Sequence, residues 1–145
     1  MKILIIRFSS LGDIVLTSPV PRLIKKRFPS SEVHFLTKKN YSETYINNIN
    51  ISKLYLLDEN FFQLYKELKK NNYDLIIDLH NNIRSFILRK LLGVKFLVYN
   101  KNRLKRWLIV NLKLKVKIPH IVDSYIKTLS SMNIKNDNKG LDYFL

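Results

Sequence analysis

Five consecutive residues, Ser9-Ser10-Leu11-Gly12-Asp13, put two hydroxyls, a glycine and a carboxylate between an apolar run and a helical pattern. Hydroxyls and the free amides of a helix start can hold the polar atoms of an anion or sugar. Gly12 lets a ligand or a neighbouring chain approach the backbone closely. Asp13 is the only acid in the first thirty-one residues. A carboxylate there can take the proton of a sugar hydroxyl. It can equally serve as a helix N-cap, a position that favours Asp. A helix N-terminus lowers a carboxylate's pKa and weakens it as a base, so catalysis would need a substrate or second domain to desolvate it. The turn is not a dinucleotide fingerprint, because it holds one Gly rather than three. It is not a phosphate-binding P-loop either, since no Gly-Lys-Ser/Thr follows.

A second cluster is Asp78-Leu79-His80-Asn81-Asn82, with Arg84 and Ser85 close behind. His80 falls at the end of an apolar strand pattern. It either orients a ligand hydroxyl or simply terminates the strand. Asp78 lies within the strand pattern and is expected to be buried and paired rather than catalytic. A third feature is charge. From Leu79 to Val122 there are eleven Lys/Arg and no acid. Lys101, Arg103, Lys105 and Arg106 surround Trp107 and Leu108, and Lys113, Lys115 and Lys117 alternate with apolar residues. Such a segment suits a membrane surface or an anionic ligand, with RNA as a competitor and a solvated face as the plain alternative. No recognisable RNA-binding signature accompanies it.

The elements that must position these groups alternate between strand and helix patterns. Strands are expected over Lys2–Arg7, Glu32–Thr37, Ile51–Leu57, Asp74–Leu79 and Val94–Tyr99. A helical pattern runs from Ile14 to Phe28, broken near Pro19, where Ser18 can cap the restart. Further helices are expected over Tyr41–Asn47, after an Asp58 cap, over Ser85–Leu92 ending at Gly93, over Asn102–Asn111, and over His120–Met132. Leu112–Ile118 alternates strictly and reads as an edge strand with its lysines outward. The alternation predicts an α/β domain: a Rossmann-like, mostly parallel sheet with helices on both faces. Ligands of such sheets bind beyond the carboxyl ends of the strands, which selects residues 8–13 and His80–Asn82.

Composition bounds the rest. The chain has 145 residues, 46% of them apolar, which suits one domain with a real core. It contains no Cys, so a disulfide framework, a thiolate metal site and a Cys nucleophile are excluded. The opening apolar run stops at Arg7, too short for a signal peptide or a spanning helix, so a cytosolic protein starting at Met1 is expected. Twenty-six Lys/Arg against eleven Asp/Glu give a net charge of +15 and point to an anionic partner. The plain alternative is partly compositional: a Lys-, Ile- and Asn-rich bias of the kind an AT-rich genome would also produce.

The stretch from Met1 to Pro19 resembles the amino terminus of glycosyltransferase family 9, the ADP-heptose:lipopolysaccharide heptosyltransferases. That family opens with a strand, a Ser-Ser-x-Gly-Asp turn and a helix bearing Thr-x-Pro, matched here by Ser9–Asp13 and Thr17-Ser18-Pro19. Asp74 to Ser85 resembles a later strand of the family, with His80 and Arg84 in its polar positions. His120-Ile121-Val122-Asp123 resembles the His-x-Val-Glu start of the helix that closes the family's first domain. Asn81 stands where Gly is frequent, and Asp123 where Glu is usual.

The resemblance implies the N-terminal half of a GT-B glycosyltransferase. Residues 1–145 would form a single acceptor-binding domain, and the C-terminal nucleotide-sugar domain would be absent. Asp13 would be the general base of an inverting transfer without an essential metal. Ser9, Ser10, Gly12, His80, Asn81, Arg84 and His120 would line the acceptor cleft. The donor would be an ADP-sugar held by the second domain, with no cofactor bound by this one. The acceptor would be an anionic core oligosaccharide on lipid A, held by Lys101–Lys117 at the cytoplasmic face of the inner membrane. On this view the chain is a fragment, a truncated product, or half of an enzyme completed by a separate chain. The alternative from another class is a non-catalytic basic α/β module on nucleic acid or anionic membrane. The resemblance favours the glycolipid over nucleic acid.

Overall fold

The computed structural model describes residues 1–100 and 121–142. The first strand, β1 (Lys2–Ile6), is almost wholly β-branched and apolar, and Ile3 to Ile6 are completely buried. Burying each of these side chains stabilises the fold by about 1.5–3 kcal/mol. The chain then forms α1 (Leu11–Leu16), α2 (Pro19–Arg27), β2 (Glu32–Lys38), a 3₁₀ turn (Lys39–Thr44) and β3 (Lys53–Leu57). It continues through α3 (Phe61–Lys69), β4 (Leu75–Asp78), α4 (Ile83–Leu92) and β5 (Phe96–Val98), and later α5 (Ile121–Lys127) with a short 3₁₀ turn at Ser130–Met132.

The five strands form one parallel sheet in the order β3-β2-β1-β4-β5. Alternation of side chains along β1 divides the core in two. Ile3 and Ile5 pack with Leu23, Ile24, Tyr125 and Leu129 under α2 and α5. Leu4 and Ile6 pack with Leu64, Leu68, Leu88 and Leu92 under α3 and α4. Helices therefore cover both faces, as the alternating pattern predicts. The chain winds outward on one side of β1 to β3, then crosses back to place β4 on the other. This puts the switch point between β1 and β4, where Ile6 lies opposite Asp78.

Local signals explain most element ends, and several differ from the sequence expectation. The break before Pro19 is present, but Ser18 does not cap α2 with its side chain. Its Oγ accepts instead from the backbone N–H of Asp142, 2.9 Å away, so the hydroxyl anchors the C-terminal segment. The cap of α3 is Asn60, whose Oδ1 accepts from Gln63 N at 2.9 Å; Asp58 lies two residues too early. Asn82 caps α4, which starts at Ile83, two residues before the expected start. In place of the expected helix at Tyr41–Asn47 stands the 3₁₀ turn Lys39–Thr44, and the last helix stops at Lys127. Gly93 ends α4 with φ +64°, a conformation that costs Gly nothing. The expectations over 102–118 lie outside the described residues.

The C-terminal segment is clamped to α2. Arg22 Nη2 and Nε bond Asp137 at 2.9 and 3.2 Å, Nη1 bonds Asp142, and Nη2 also donates to Gly140 O at 3.0 Å. Lys cannot reproduce such a planar fork. Arg22→Lys should therefore speed tryptic cleavage after Lys135 and Lys139, measured by limited proteolysis at a temperature where the core stays folded.

His34 on β2 is buried among polar side chains, with Nδ1 2.8 Å from Tyr73 Oη. Burial holds its pKa below the usual value of 6.5; Glu32 opposes the shift, and Lys2 and Lys53 add to it. The folded state thus resists protonation that the unfolded chain accepts. Stability should fall as pH drops below about 6.5, until the folded His34 itself titrates. Replacing His34 with Gln should flatten that part of a thermal-stability profile between about pH 7.5 and 5 relative to the parent.

Candidate functional site

Arg7 leaves β1 at its carboxyl end and is the pivot of the switch-point crevice. Its guanidinium is buried, yet it meets both walls. Nη1 donates to the carbonyl of Leu79 beyond β4 at 2.8 Å, and Nη2 lies 2.8 Å from Asp13 Oδ2 on α1. The same group sits 5.7 Å from the centre of the Tyr125 ring of α5. Tyr125 packs on Tyr99 at 4.5 Å and donates its hydroxyl to Asp13 Oδ1 at 3.3 Å.

Asp13 is the third residue of α1, and Ser10 is the N-cap. The cap reading of Asp13 is therefore corrected. Its Oδ2 accepts from Ser10 Oγ at 2.9 Å and from Ser10 N at 3.4 Å, bracing the cap rather than forming it. Partial burial pushes the Asp13 pKa up. The Ser10 hydroxyl, the Arg7 charge, the Ser10 amide and the Tyr125 hydroxyl together outweigh that and hold the carboxyl below its usual range. The group is ionised at neutral pH, fixed in orientation, and still about a third exposed at its side chain. It can accept a proton or bond a ligand hydroxyl. Gly12 beside it is exposed, with open space where a side chain would stand. Ser9 joins Ser10 through a cis peptide bond.

The opposite wall is held by Asp78. This carboxylate is fully buried, and its Oδ1 accepts from the N–H groups of His80 and Asn81 at 3.0 and 2.8 Å. Arg89 Nε lies 2.9 Å from Oδ2, but its N–H is not aimed along that line, so the contact is an ion pair rather than a directed hydrogen bond. Asp78 is structural, as its place in the strand predicts. The turn it pins carries His80 against Phe8, with ring centres 5.0 Å apart. Asn81 adopts φ +53° and bonds Tyr99 O through its side chain at 3.1 Å. Asn tolerates this left-handed conformation better than most residues, which explains how it can stand in a position that suits Gly.

The structure thus gathers Ser10, Gly12, Asp13, His80 and Asn81 around one crevice. Arg84 lines an open cleft of about 420 Å³ with Lys38, Lys39, Asn40 and Phe61, flanked by Asp58 and Glu59. His120 and the basic residues Lys101, Arg103, Lys105, Arg106, Lys113, Lys115 and Lys117 lie outside the described residues.

The family model for glycosyltransferase family 9 (heptosyltransferase) matches residues 61–143, more than half of the chain. The chain belongs to this family. The matched region contains the Asp74–Ser85 and His120–Asp123 motifs, while the Ser9–Asp13 turn precedes it. Among curated family-9 relatives, lipopolysaccharide heptosyltransferase 1 of Campylobacter coli is 35% identical over 111 residues, 72% of this chain and 32% of that protein. Lipopolysaccharide heptosyltransferase 3 of Escherichia coli is 32% identical over 94 residues, 58% of this chain and 28% of that protein. The aligned part thus spans about a third of the length of these relatives. A family-9 glycosyltransferase from Veillonella parvula superposes with a TM-score of 0.77 at 20% identity, covering 99% of this chain and 44% of that one. The E. coli heptosyltransferase WaaC with ADP gives 0.72 at 18% identity, covering 99% and 50%. At these identities the likeness is one of fold, and it agrees with the α/β sheet expected from the alternating pattern.

Two residues that surround Asp13 were not singled out by sequence reasoning. Arg7 looks only like the end of an apolar run, and Tyr125 like one member of a buried helical stripe. A positive charge placed immediately after a fully apolar strand was the one local signal for Arg7, because such a position must be paired when buried.

Proposed function

We propose that this chain is the acceptor-side domain of a heptosyltransferase-type glycosyltransferase, with Asp13 as the base. The observation that carries the proposal is the ionised Asp13 carboxylate, fixed by Arg7, Ser10 and Tyr125 at the β1–β4 switch point. Family membership and the names of the curated relatives supply the reaction: heptose, or a related sugar, passes from an ADP-sugar to a lipopolysaccharide-core acceptor. A solved relative carries ADP-2-deoxy-2-fluoro heptose, which supports an ADP-sugar donor.

The geometry gives Asp13 a division of labour. Oδ2 is occupied by Arg7 and Ser10, whereas among the described residues Oδ1 receives only the long bond from Tyr125. Oδ1 is therefore the oxygen suited to accept the acceptor's hydroxyl proton. As that proton leaves, the hydroxyl oxygen attacks the anomeric carbon, and the bond from that carbon to the ADP oxygen breaks with its electron pair going to ADP. Attack from the side opposite the leaving group inverts the centre. Asp13 is a weak base at its lowered pKa, so proton transfer is best coupled to formation of the new carbon–oxygen bond, which makes the hydroxyl more acidic. Ser9, Ser10, Gly12, His80 and Asn81 line the acceptor's approach. In this reading the ADP-sugar is held by a separate nucleotide-binding domain or chain. The acid-free run from Leu79 to Val122 supplies positive charge for a phosphorylated glycolipid at the cytoplasmic face of the inner membrane. No helix among the described residues is long and apolar enough to cross a membrane.

Isothermal titration with a de-acylated, phosphorylated core oligosaccharide and, separately, with ADP-heptose tests the assignment. The oligosaccharide should bind and ADP-heptose should not. Tight ADP-heptose binding by this chain would sink the acceptor-side role.

A further inference from the structure

The outer face of α4 carries an apolar surface that nothing in the crevice uses. Ile83, Ile87 and Leu91 recur every four residues and are 79%, 43% and 48% exposed. Phe86 lies beside them, and Phe96 of β5 is joined to it through cations. Lys90 sits 5.6 Å from both ring centres, and the Arg89 guanidinium 5.4 and 4.6 Å from Phe86 and Phe96. Five of the ten large apolar side chains exposed among the described residues lie on this one face. Exposed apolar residues scattered singly need no explanation, but a contiguous group does.

Charge decides what covers it. Arg84, Lys90 and Lys95 are exposed on or beside the patch, and no acid occurs anywhere from Leu79 to Val122. A second copy of the chain packed on the same face would set these cations against their own counterparts. An anionic bilayer satisfies both chemistries. Protruding aliphatic and aromatic side chains enter the boundary between headgroups and acyl chains, and the flanking cations meet lipid phosphates. We propose that the α4 face, with Phe96, is a docking surface for an anionic lipid bilayer. The inner side of α4 is fixed to the sheet by buried Leu88 and Leu92 and by the Arg89–Asp78 ion pair. The helix also begins directly after the His80–Asn82 turn of the crevice. A bilayer under α4 would thus keep a lipid-borne acceptor near that turn.

Co-sedimentation of the full chain with vesicles tests this without any sugar, so its failure leaves the Asp13 assignment untouched. Binding should be at least about tenfold stronger to phosphatidylcholine vesicles containing phosphatidylglycerol than to phosphatidylcholine alone. The exposed-site triple variant Ile83→Ser/Ile87→Ser/Leu91→Ser should lose about tenfold or more in partitioning with an unchanged thermal transition. Arg84→Gln/Lys90→Gln/Lys95→Gln should remove the preference for phosphatidylglycerol that this face contributes. Unaltered partitioning in the serine variant would overturn the proposal, since charge elsewhere on the chain would then account for binding. So would a dimer, seen by sedimentation velocity, that the serine variant dissociates while vesicle binding persists.

Discussion

Replacing Asp13 by Asn is expected to lower sugar transfer by about a hundredfold to ten-thousandfold, the usual contribution of a positioned general base. Transfer is measured as ADP release, with the chain joined to the nucleotide-sugar half of a family-9 relative. The loss should fall on kcat rather than KM, because Asn keeps the shape and an acceptor oxygen but cannot take the proton. Full activity in this variant would reduce Asp13 to a brace for the Ser10 cap. Some stability is lost as well, since Arg7 is buried and surrenders its counter-charge; about 1–3 kcal/mol is expected, with the Leu79 carbonyl and the Tyr125 ring retained. The pH dependence separates chemistry from folding. The Asp13 pKa is below its ordinary 3.8, so its ionised form, and any stability that form contributes, persists above that value and is lost as pH falls through the lower folded value. Activity should accordingly show no acidic limb assignable to Asp13 above about pH 4. Arg7→Met removes the charge that, beside the Ser10 and Tyr125 hydrogen bonds, holds the carboxyl down, and should move that limb to higher pH.

The second large effect concerns the other wall. Asp78→Ala should cost about 3–5 kcal/mol, because it leaves the Arg89 charge buried and unpaired. In a domain of this size that corresponds to a fall in Tm on the order of 10 °C. Two backbone N–H groups, of His80 and Asn81, lose their acceptor in the same step. The double variant Asp78→Leu/Arg89→Leu removes both charges and should recover much of the loss in a thermal melt. Its turn at His80–Asn81 would still lack its anchor. Sugar transfer should then stay impaired although stability returns. Equal stability of the single and double variants would show that the buried ion pair is not the source of the effect.

The strands of this fold were legible because each is a short β-branched or apolar run bounded by polar turns. Pro19 marked the break between α1 and α2 for the same local reason: it has no N–H to offer and clashes with a preceding helical turn. Cap identities were less legible. Asp58 and Asn60 are both good caps two residues apart, and only the way Phe61 and Leu64 face the core decides for Asn60. The site was half legible. The strand–helix alternation and the rule for parallel sheets pointed to the turns after β1 and β4 as the candidate location, and Asp13 and His80 stand in those turns. The environment of Asp13 was not legible. Arg7, Leu79 and Tyr125 reach it or its partner from three separate parts of the chain, and no periodicity records such long-range polar contacts. The resemblance sets Arg84 among the acceptor-side residues; in the structure α4 begins between it and His80, and Arg84 lines an open cleft with Lys38, Lys39 and Phe61.

Strand β1 lies at the centre of the sheet, with one partner drawn from the next strand and the other from β4. Its bond from Arg7 to Leu79 spans 72 residues, and the bond from Tyr125 to Asp13 spans 112. A ribosome therefore releases the four consecutive apolar residues of β1 long before their second neighbour exists. Contacts of such separation close slowly, because the intervening loop must be ordered first. The nascent chain carries an unpaired, aggregation-prone edge through that interval. The crevice can be completed only after α5 has emerged, so a chain interrupted before Tyr125 could build much of the sheet and still lack the full set of groups that hold Asp13 in place.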